Sequence, residues 1–330
     1  MPFVSVVIPA YNTGRYIAEA LDSVFRQSFT DYEVIVVDDG STDDTREIVG
    51  RLGDRVIYFH QKNQGLAVAR NSGLRLATGD YITYLDADDV WEPDNLKMKA
   101  QTLRAVPGLG GVFSEFSIFD DDGERHARGT RELFPFFART GKSFDDVFLS
   151  THELQTTDGR SVGIRHGHVF DALFWGNFIL PTSMLFSRAC AMSVGDFRPE
   201  LRTQQDYEYW LRFTQQYPLA FLSEALVRYR RHPAQLTDYS RIENIFLAVH
   251  AIIDGYEQDF SERGRRDDWV RRKVELLTDL AKVYVGRSRG ADARSQLRAA
   301  LSLDRAHLPA YAVLVASFVP LPLMKAVRGH

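Results

Sequence analysis

The residues in this sequence best suited to chemistry are three carboxylates at the end of an apolar run. Asp86, Asp88 and Asp89 follow Tyr81-Ile-Thr-Tyr-Leu85, a β-branched and aromatic stretch too short for a helix and suited to a buried strand. Side chains alternate along a strand, so an extended backbone would send Asp86 and Asp88 to the same face. Two ionised carboxylates about 4 Å apart repel by roughly 4 kcal/mol at a surface-like dielectric. A hard divalent cation with oxygen ligands offsets that repulsion. The plainer reading is a polar strand end running into a helix, with Pro93 in its first turn. Asp-x-Asp alone is too common to decide between them.

A fourth carboxylate, Asp206, falls in the first turn of Gln204–Phe213, where Tyr207, Trp210 and Leu211 recur at i, i+3 and i+4. There it can complement the helix dipole, and the same position keeps it ionised and able to accept a proton. His232 closes the late strand Val227–His232 and is a rival base or an extra metal ligand. His166 and His168 have the spacing of a metal pair on a strand, without a third ligand nearby in sequence.

The elements that must carry these groups alternate. Val4–Ile8 is a strand, Tyr16–Phe25 a helix, Glu33–Val37 a strand, Thr42–Leu52 a helix with Asp43 and Asp44 in its first turn, and Arg55–Phe59 a strand. A third helix opens over Asn63–Gly73, and the Asp80–Asp89 strand follows, expected to stay extended. Such alternation predicts a mostly parallel central sheet flanked by helices, with ligands bound beyond the carboxyl ends of the strands. Pro9–Asn12, Asp38–Ser41 and Asp86–Asp89 then share one edge. No G-x-G-x-x-G follows the first strand and no G-x-x-x-x-G-K-[ST] occurs, so neither glycine cradle for phosphate is present. Phosphate charge would fall to a metal on the carboxylates, with Arg70 helping. Further on, Asn95–Ala105 reads as a helix, Gly111–Phe119 and Ile179–Phe186 as strands, and Asp120–Glu124 as a turn. Residues 125–176 give no clear period; Phe134, Phe136, Phe137, Phe170, Phe174 and Trp175 suit a core better than a cleft.

The composition, 45% hydrophobic and 25% charged, is ordinary for a globular protein, and the one cysteine, Cys190, excludes an internal disulfide framework. The N-terminus reads as a first strand rather than a signal peptide, and no stretch spans a bilayer comfortably; Pro309–Met324 comes nearest. The reading is cytoplasmic, with peripheral contact on the inner face of the cell membrane as a further expectation. Beyond residue 260 there are 14 Lys and Arg against 7 Asp and Glu, a balance of +7, whereas residues 1–260 carry −11. That basic end is helical. Val270, Val274, Leu277, Ala281 and Tyr284 form one stripe, and Ala293, Leu297, Ala300 and Leu301 form another. The spacing weakly resembles one tetratricopeptide hairpin, which must bury its face on the sheet domain, a homodimer partner or a membrane. The expected division is 1–240, its nucleotide half about 1–115 and its acceptor half about 116–240, and a helical region over 241–330.

Val7-Ile-Pro-Ala-Tyr-Asn12, Val37-Asp-Asp-Gly-Ser41, Gly65 with Ala69-Arg-Asn71, and Leu85-Asp-Ala-Asp-Asp89 occur in one order on this frame. In that order they resemble the family 2 glycosyltransferases, inverting enzymes of the GT-A nucleotide-sugar-binding fold. The resemblance covers about residues 3–115 and returns over 177–235. It implies a nucleoside-diphosphate sugar donor, with UDP expected, and a glycan or lipid-linked acceptor; nucleic acid is not an expected partner. It implies that Pro9, Ala10 and Tyr11 flank the base and that Asp39 hydrogen-bonds it. Asn12, Asp38, Gly65, Arg70, Asn71 and Ala87 complete the donor set, and Asp86 holds the ribose or a metal water. Asp88, with His232 as an additional candidate, would hold Mn²⁺ or Mg²⁺, and Asp206 would be the base. The family often carries Glu-Asp where this chain has Gln205-Asp206, so the acidic neighbour of the base is neutral here. A nucleotidyltransferase on a related fold would carry a lysine in Pro9–Gly14, where there is none, and a non-catalytic carbohydrate-binding protein would not need Asp39, Asp88 and Asp206 together.

Overall fold

In the computed structural model, which describes residues 3–155, 159–233, 235 and 242–318, each β-branched run of the N-terminal half is a strand. The chain divides into two compact units, Met1–Pro233 and Ala234–His330. In the first, β1 (Val4–Ala10), β2 (Tyr32–Asp38), β3 (Ile57–His60) and β4 (Tyr81–Tyr84) pair in parallel in the order β3-β2-β1-β4. Helices α1 (Ile17–Phe25), α2 (Thr45–Gly50) and α3 (Leu66–Leu76) connect them. All of β1 is buried, as a central parallel strand covered on both faces requires. Gly73 of α3 lets that helix settle on β1, since a Cβ there would lie 2.2 Å from Val7.

Beyond β4 the sheet is mixed. After β5 (Val90–Trp91) and α4 (Asn95–Ala105), β6 (Gly111–Asp120) turns back through β7 (Gly123–His126). Short helices α5 (Thr130–Leu133), α6 (Phe136–Thr140) and α7 (Phe144–Val147) lead to a hairpin of β8 (Ser150–Gln155) and β9 (Ser161–Gly167), then α8 (Phe170–Phe174). Strand β10 (Met184–Ser187) enters antiparallel to both β4 and β6. Helices α9 (Arg188–Val194) and α10 (Gln205–Gln216) precede β11 (Leu219–Arg230), which runs parallel to β6. The stretch without a clear period is thus built of short elements held by aromatic rings. Phe144 and Phe178 pack on Phe113, Phe136 and Phe137 pack on Phe178, and Phe144 stacks on Phe221 at 3.7 Å. Phe170 and Phe174 are core as well, Phe134 is partly buried, and Trp175 is half-buried.

Several boundaries differ from expectation. Helix α2 starts at Thr45, because the Asp43 carboxylate instead accepts from Gly14 N (2.9 Å) and the Thr45 hydroxyl (2.6 Å), tying two loops together. The backbone is not extended through Asp86–Asp89: Asp89 N donates to Asp86 O at 2.9 Å and closes a turn. Pro181 opens a short 3₁₀ turn over Pro181–Ser183, so the strand there begins only at Met184. Strand β11 begins at Leu219, eight residues earlier than its apolar alternation suggested, with irregular register between Leu222 and Val227.

The second unit is helical: α11 (Ile242–Asp254), α12 (Glu257–Glu262), α13 (Arg266–Gly286), α14 (Gly290–Leu303) and α15 (Leu308–Ala316). Val274, Leu277, Ala281 and Tyr284 of α13 meet Ala293, Leu297 and Ala300 of α14 in one core. Small residues at Ala281, Ala293 and Ala300 allow close approach of the two helices. Of the apolar run Pro309–Met324, the part after residue 318 lies outside the described residues.

One buried group works against the first unit. Lys99 of α4 is fully buried, and its Nζ has no hydrogen-bond partner among the described residues. Burial holds its amine well below the usual 10.5. The unfolded chain then binds a proton that the folded chain lacks, so stability rises with pH up to about 10.5. Lys99→Met is expected to stabilise the protein by about 2 kcal/mol at pH 7. The gain should shrink as pH approaches 10, and thermal melts across that range check it.

Candidate active site

The carboxyl ends of β1, β2 and β4 bring the predicted loops to one edge, and hydrogen bonds lock them. Asn12, at φ +52°, donates its N–H to Ser41 Oγ (2.9 Å) and accepts from Thr42 N (2.8 Å). Asp38 is fully buried and accepts from Ser41 N, the Tyr58 hydroxyl and His60 Nδ1. Burial raises its pKa, and those hydrogen bonds outweigh burial and hold it below the carboxylate range. Asp39 Oδ1 accepts from Gln61 Nε2 (2.7 Å) and Gln64 N (3.0 Å), and Oδ2 from Gly65 N (2.7 Å). Asn12 and Asp38 thus brace the loops, and Asp39 fastens segment 61–65. Pro9 and Ala10 are buried inside β1, whereas the Tyr11 that follows is 51% exposed.

The Asp86–Asp89 turn is held by two arginines. Arg70, buried in α3, donates Nη2 to Asp86 Oδ1 at 2.9 Å and lies near the Tyr84 and Phe197 rings. Arg230, at the end of β11, donates Nε to Asp88 O (2.8 Å), its backbone N to Asp89 Oδ1 (3.0 Å), and Nη2 to Glu19 of α1. Asp88 Oδ2 meets His232 Nε2 at 2.9 Å, and Tyr16 packs against that imidazole at 4.6 Å. Ala87, at the middle of the turn, points into the core. Burial, and then the Asp88 and Asp86 charges, push Asp89 well above the carboxylate range; burial likewise raises Asp86, with Arg70 opposing.

Asp206 sits in the first turn of α10, which is anchored by fully buried Tyr207, Trp210 and Leu211. The Tyr207 hydroxyl donates to the carbonyls of Leu173 (3.0 Å) and Phe174 (3.1 Å), docking α8 on this helix. Asn177 follows α8; its Oδ1 accepts from Ile179 N (3.0 Å), so its Nδ2 faces Asp206 Oδ2 at 3.3 Å. Burial raises the Asp206 pKa, opposed by the Arg70 charge and by N–H groups of Tyr207 and Asp206 itself. Arg70 therefore acts on both Asp86 and Asp206.

Asn71 is a structural clamp. Its Nδ2 donates to Phe197 O (2.8 Å) and its Oδ1 accepts from Phe197 N (2.8 Å), joining α3 to the segment before α10. Gly65, at φ +96°, opens α3, and a Cβ there would lie 3.1 Å from Arg202 Nη1. His166 lies on β9 and His168 beyond it, and no group of three His, Cys, Asp or Glu placed to hold a metal occurs among the described residues. The sequence reading missed Asn177, Arg230, Arg202 and Tyr16. None of them sits in a recognisable motif, and their roles arise from partners distant in the chain.

Residues 5–157 match the model of glycosyl transferase family 2. An uncharacterized glycosyltransferase of Rickettsia typhi is 27% identical over 238 residues, which are 72% of this chain and 66% of that protein. The chondroitin synthase of Escherichia coli is 37% identical over 142 residues, 42% of this chain and 20% of the synthase. The chain therefore spans at most about two thirds of these relatives. Among solved structures, S. aureus TarS in complex with UDP-GlcNAc superposes on 95% of this chain and 90% of its own, with a TM-score of 0.57 at 17% identity. A mannosyltransferase from Pyrobaculum calidifontis in complex with GDP-Man and Mn²⁺ covers 99% of this chain and 83% of its own, with a TM-score of 0.56 at 19% identity. The mixed sheet is thus the GT-A fold. The match to the family 2 model is carried by the N-terminal stretch that holds Asp39 and the Asp86–Asp89 turn.

If Asn71 is a clamp, its loss is felt without any ligand. Asn71→Ala leaves a buried N–H and C=O of Phe197 unpaired and is expected to cost about 2–4 kcal/mol. Denaturant unfolding of the ligand-free protein measures this, and unchanged stability would return Asn71 to the donor set.

Proposed function

We propose that the protein transfers a sugar, with inversion, from a nucleoside-diphosphate sugar to a hydroxyl of a glycan or lipid-linked acceptor. Asp206 is the general base, and a divalent cation, Mn²⁺ or Mg²⁺, assists at Asp88 and His232. The observation that carries this reading is the setting of Asp206: a carboxylate on a rigid helix, raised in pKa by burial and sharing Arg70 with the Asp86–Asp89 turn. Similar solved structures bound to UDP-GlcNAc, or to GDP-Man with Mn²⁺, support the donor class.

Asp88 and His232 fit a divalent ion as one oxygen and one nitrogen donor already facing each other, the rest of the shell falling to phosphate oxygens and water. Bound there, the ion supplies Lewis-acid charge to the departing diphosphate. The protein's own groups do the remainder. Tyr11 offers its exposed ring to the base. Asp39 has accepted three hydrogen bonds and keeps one acceptor position for an imide N–H, which uracil has and cytosine lacks. That favours a UDP-sugar. Arg202, leaning over Gly65, adds positive charge beside the cleft. Asp206 takes the acceptor's proton as the hydroxyl attacks from the face opposite the leaving group. One carboxylate suffices for a single inversion. Asn177 presents its N–H to Oδ2, which leaves Oδ1 to receive that proton. A base whose pKa is raised toward neutrality is more effective while remaining largely ionised.

The first test is hydrolysis of a panel of nucleotide sugars with Mn²⁺, in which UDP-sugars should turn over best; preference for a cytidine or adenosine nucleotide contradicts the base assignment. Asp88→Asn should abolish Mn²⁺-dependent binding of UDP in calorimetry, and His232→Ala should weaken it.

Asp206→Asn should lower transfer by about 10² or more, roughly 3 kcal/mol, with donor affinity little changed. Its folded pKa is raised, so the ionised carboxylate destabilises the fold at neutral pH; the variant should melt no lower than the wild type. For the same reason the acidic limb of turnover should lie above pH 3.8, the ordinary aspartate value. In a double-mutant cycle, Asn177→Ala should slow turnover by about tenfold in the wild type and add nothing in Asp206→Asn. Additive losses would remove Asn177 from the base's support. Near-normal turnover in Asp206→Asn would reject the base itself.

A further inference from the structure

Helix α15, Leu308-Pro-Ala-Tyr-Ala-Val-Leu-Val-Ala316, contains no charged residue. One side is used: Ala310, Val313 and Leu314 pack on the core formed by α13 and α14. The other side is bare. Leu308, Tyr311, Val315 and, one turn on, Phe318 are 77%, 44%, 69% and 68% exposed. Their spacing, i, i+3, i+7 and i+10, places them in one row along the helix. Single exposed apolar side chains are ordinary, whereas a contiguous row marks a surface that meets something.

The charge around the row says what that is. Asp304 is the last acidic residue of the chain, and residues 305–330 carry Arg305, Lys325 and Arg328 with no Asp or Glu. On the neighbouring α14, Arg294 lies over the Phe318 ring at 4.6 Å and donates to Ser317 O at 3.1 Å. Arg298 follows one turn later and is exposed. Long basic side chains lay their stems on apolar surface and carry the charge to its rim. A tyrosine in such a row has an apolar ring and a polar tip, suited to a boundary between oil and water. We propose that this face of the second unit docks on a lipid bilayer that presents anionic headgroups. Acyl chains take the Leu308–Phe318 row, and lipid phosphates meet Arg294, Arg298 and Arg305. A second copy is a poorer occupant, because a two-fold contact sets the same cations against each other. Residues 319–330 add two more cations and no Asp or Glu, so their side chains supply no counter-charge to these arginines. Among the described residues no helix is long and apolar enough to cross a membrane, so the docking is interfacial. The proposal does not depend on the assignment of Asp206, and it would hold the enzyme where a lipid-linked acceptor resides.

Flotation of the full chain with phosphatidylcholine vesicles, with and without phosphatidylglycerol, tests it. Wild-type protein should float only with the phosphatidylglycerol vesicles, and added salt should release it. The exposed double substitution Val315→Glu and Phe318→Glu should cut recovery at least about fivefold, as should Arg298→Glu with Arg305→Glu. Equal melting temperatures for all variants establish that folding is not the cause. Failure of the wild type to float, equal flotation on both vesicle types, or undiminished flotation of the variants overturns the proposal. A wild-type dimer in size-exclusion chromatography that Val315→Glu and Phe318→Glu convert to monomer, without flotation, assigns the face to a second copy instead.

Discussion

Carboxylate repulsion governs the architecture of this site. Asp86, Asp88 and Asp89 lie within one turn, and Asp206 is near enough for Asp86 to act on it. Left to themselves these charges would oppose folding, and burial makes their cost higher. Two largely buried arginines, introduced from opposite parts of the chain, answer them. Arg70 binds Asp86 and lends its charge to Asp206, while Arg230 pins the turn through the Asp88 carbonyl and the Asp89 carboxylate. The residual excess of negative charge falls on Asp88, which keeps a quarter of its side-chain surface open to solvent and faces His232. That is where a divalent cation has most to offset.

The two arginines also determine how rigid the site is. Each arrives on a regular element, Arg70 on α3 to bond Asp86 and Arg230 on β11 to bond Asp88, Asp89 and Glu19, so the turn cannot shift without breaking several bonds. Around Asp206, Tyr207, Trp210 and Leu211 hold α10 in the core, and the Asn71–Phe197 pair carries the register of α3 across to the segment before it. Side chains on such anchored elements hold their positions more closely than side chains on loops.

The match to the family 2 model is confined to the N-terminal half, and the likeness of fold extends further than the matched sequence does. The superposition covers 95% of the chain at 17% identity. A sheet can keep its strand order through such divergence, because burial on both faces asks only for apolar residues of suitable size, not particular ones. Donor and acceptor identity reside in side chains that line the cleft, and a likeness of backbone at that level does not carry them across.

The sequence by itself determined the alternating first half, the amphipathic α10 and the paired stripes of the second unit. Each rests on a period of 2 or 3.6 that burial enforces locally. It also supplied the four motif stretches that pointed to family 2. Their residues then divided in a way no period reveals: Asp88 stays partly open to solvent opposite His232, whereas Asn12, Asp38, Asn71 and Ala87 brace loops or fill the core. Tertiary structure alone decided the antiparallel entry of β10, the aromatic packing of residues 125–176, and the pairing that makes the carboxylates tolerable. Arg230 finds Glu19 across 211 positions and Asp89 across 141, and Asn177 finds Asp206 across 29. A charge carries no local signature of the partner it will meet, because the Coulomb energy depends on distances that only the folded sheet sets.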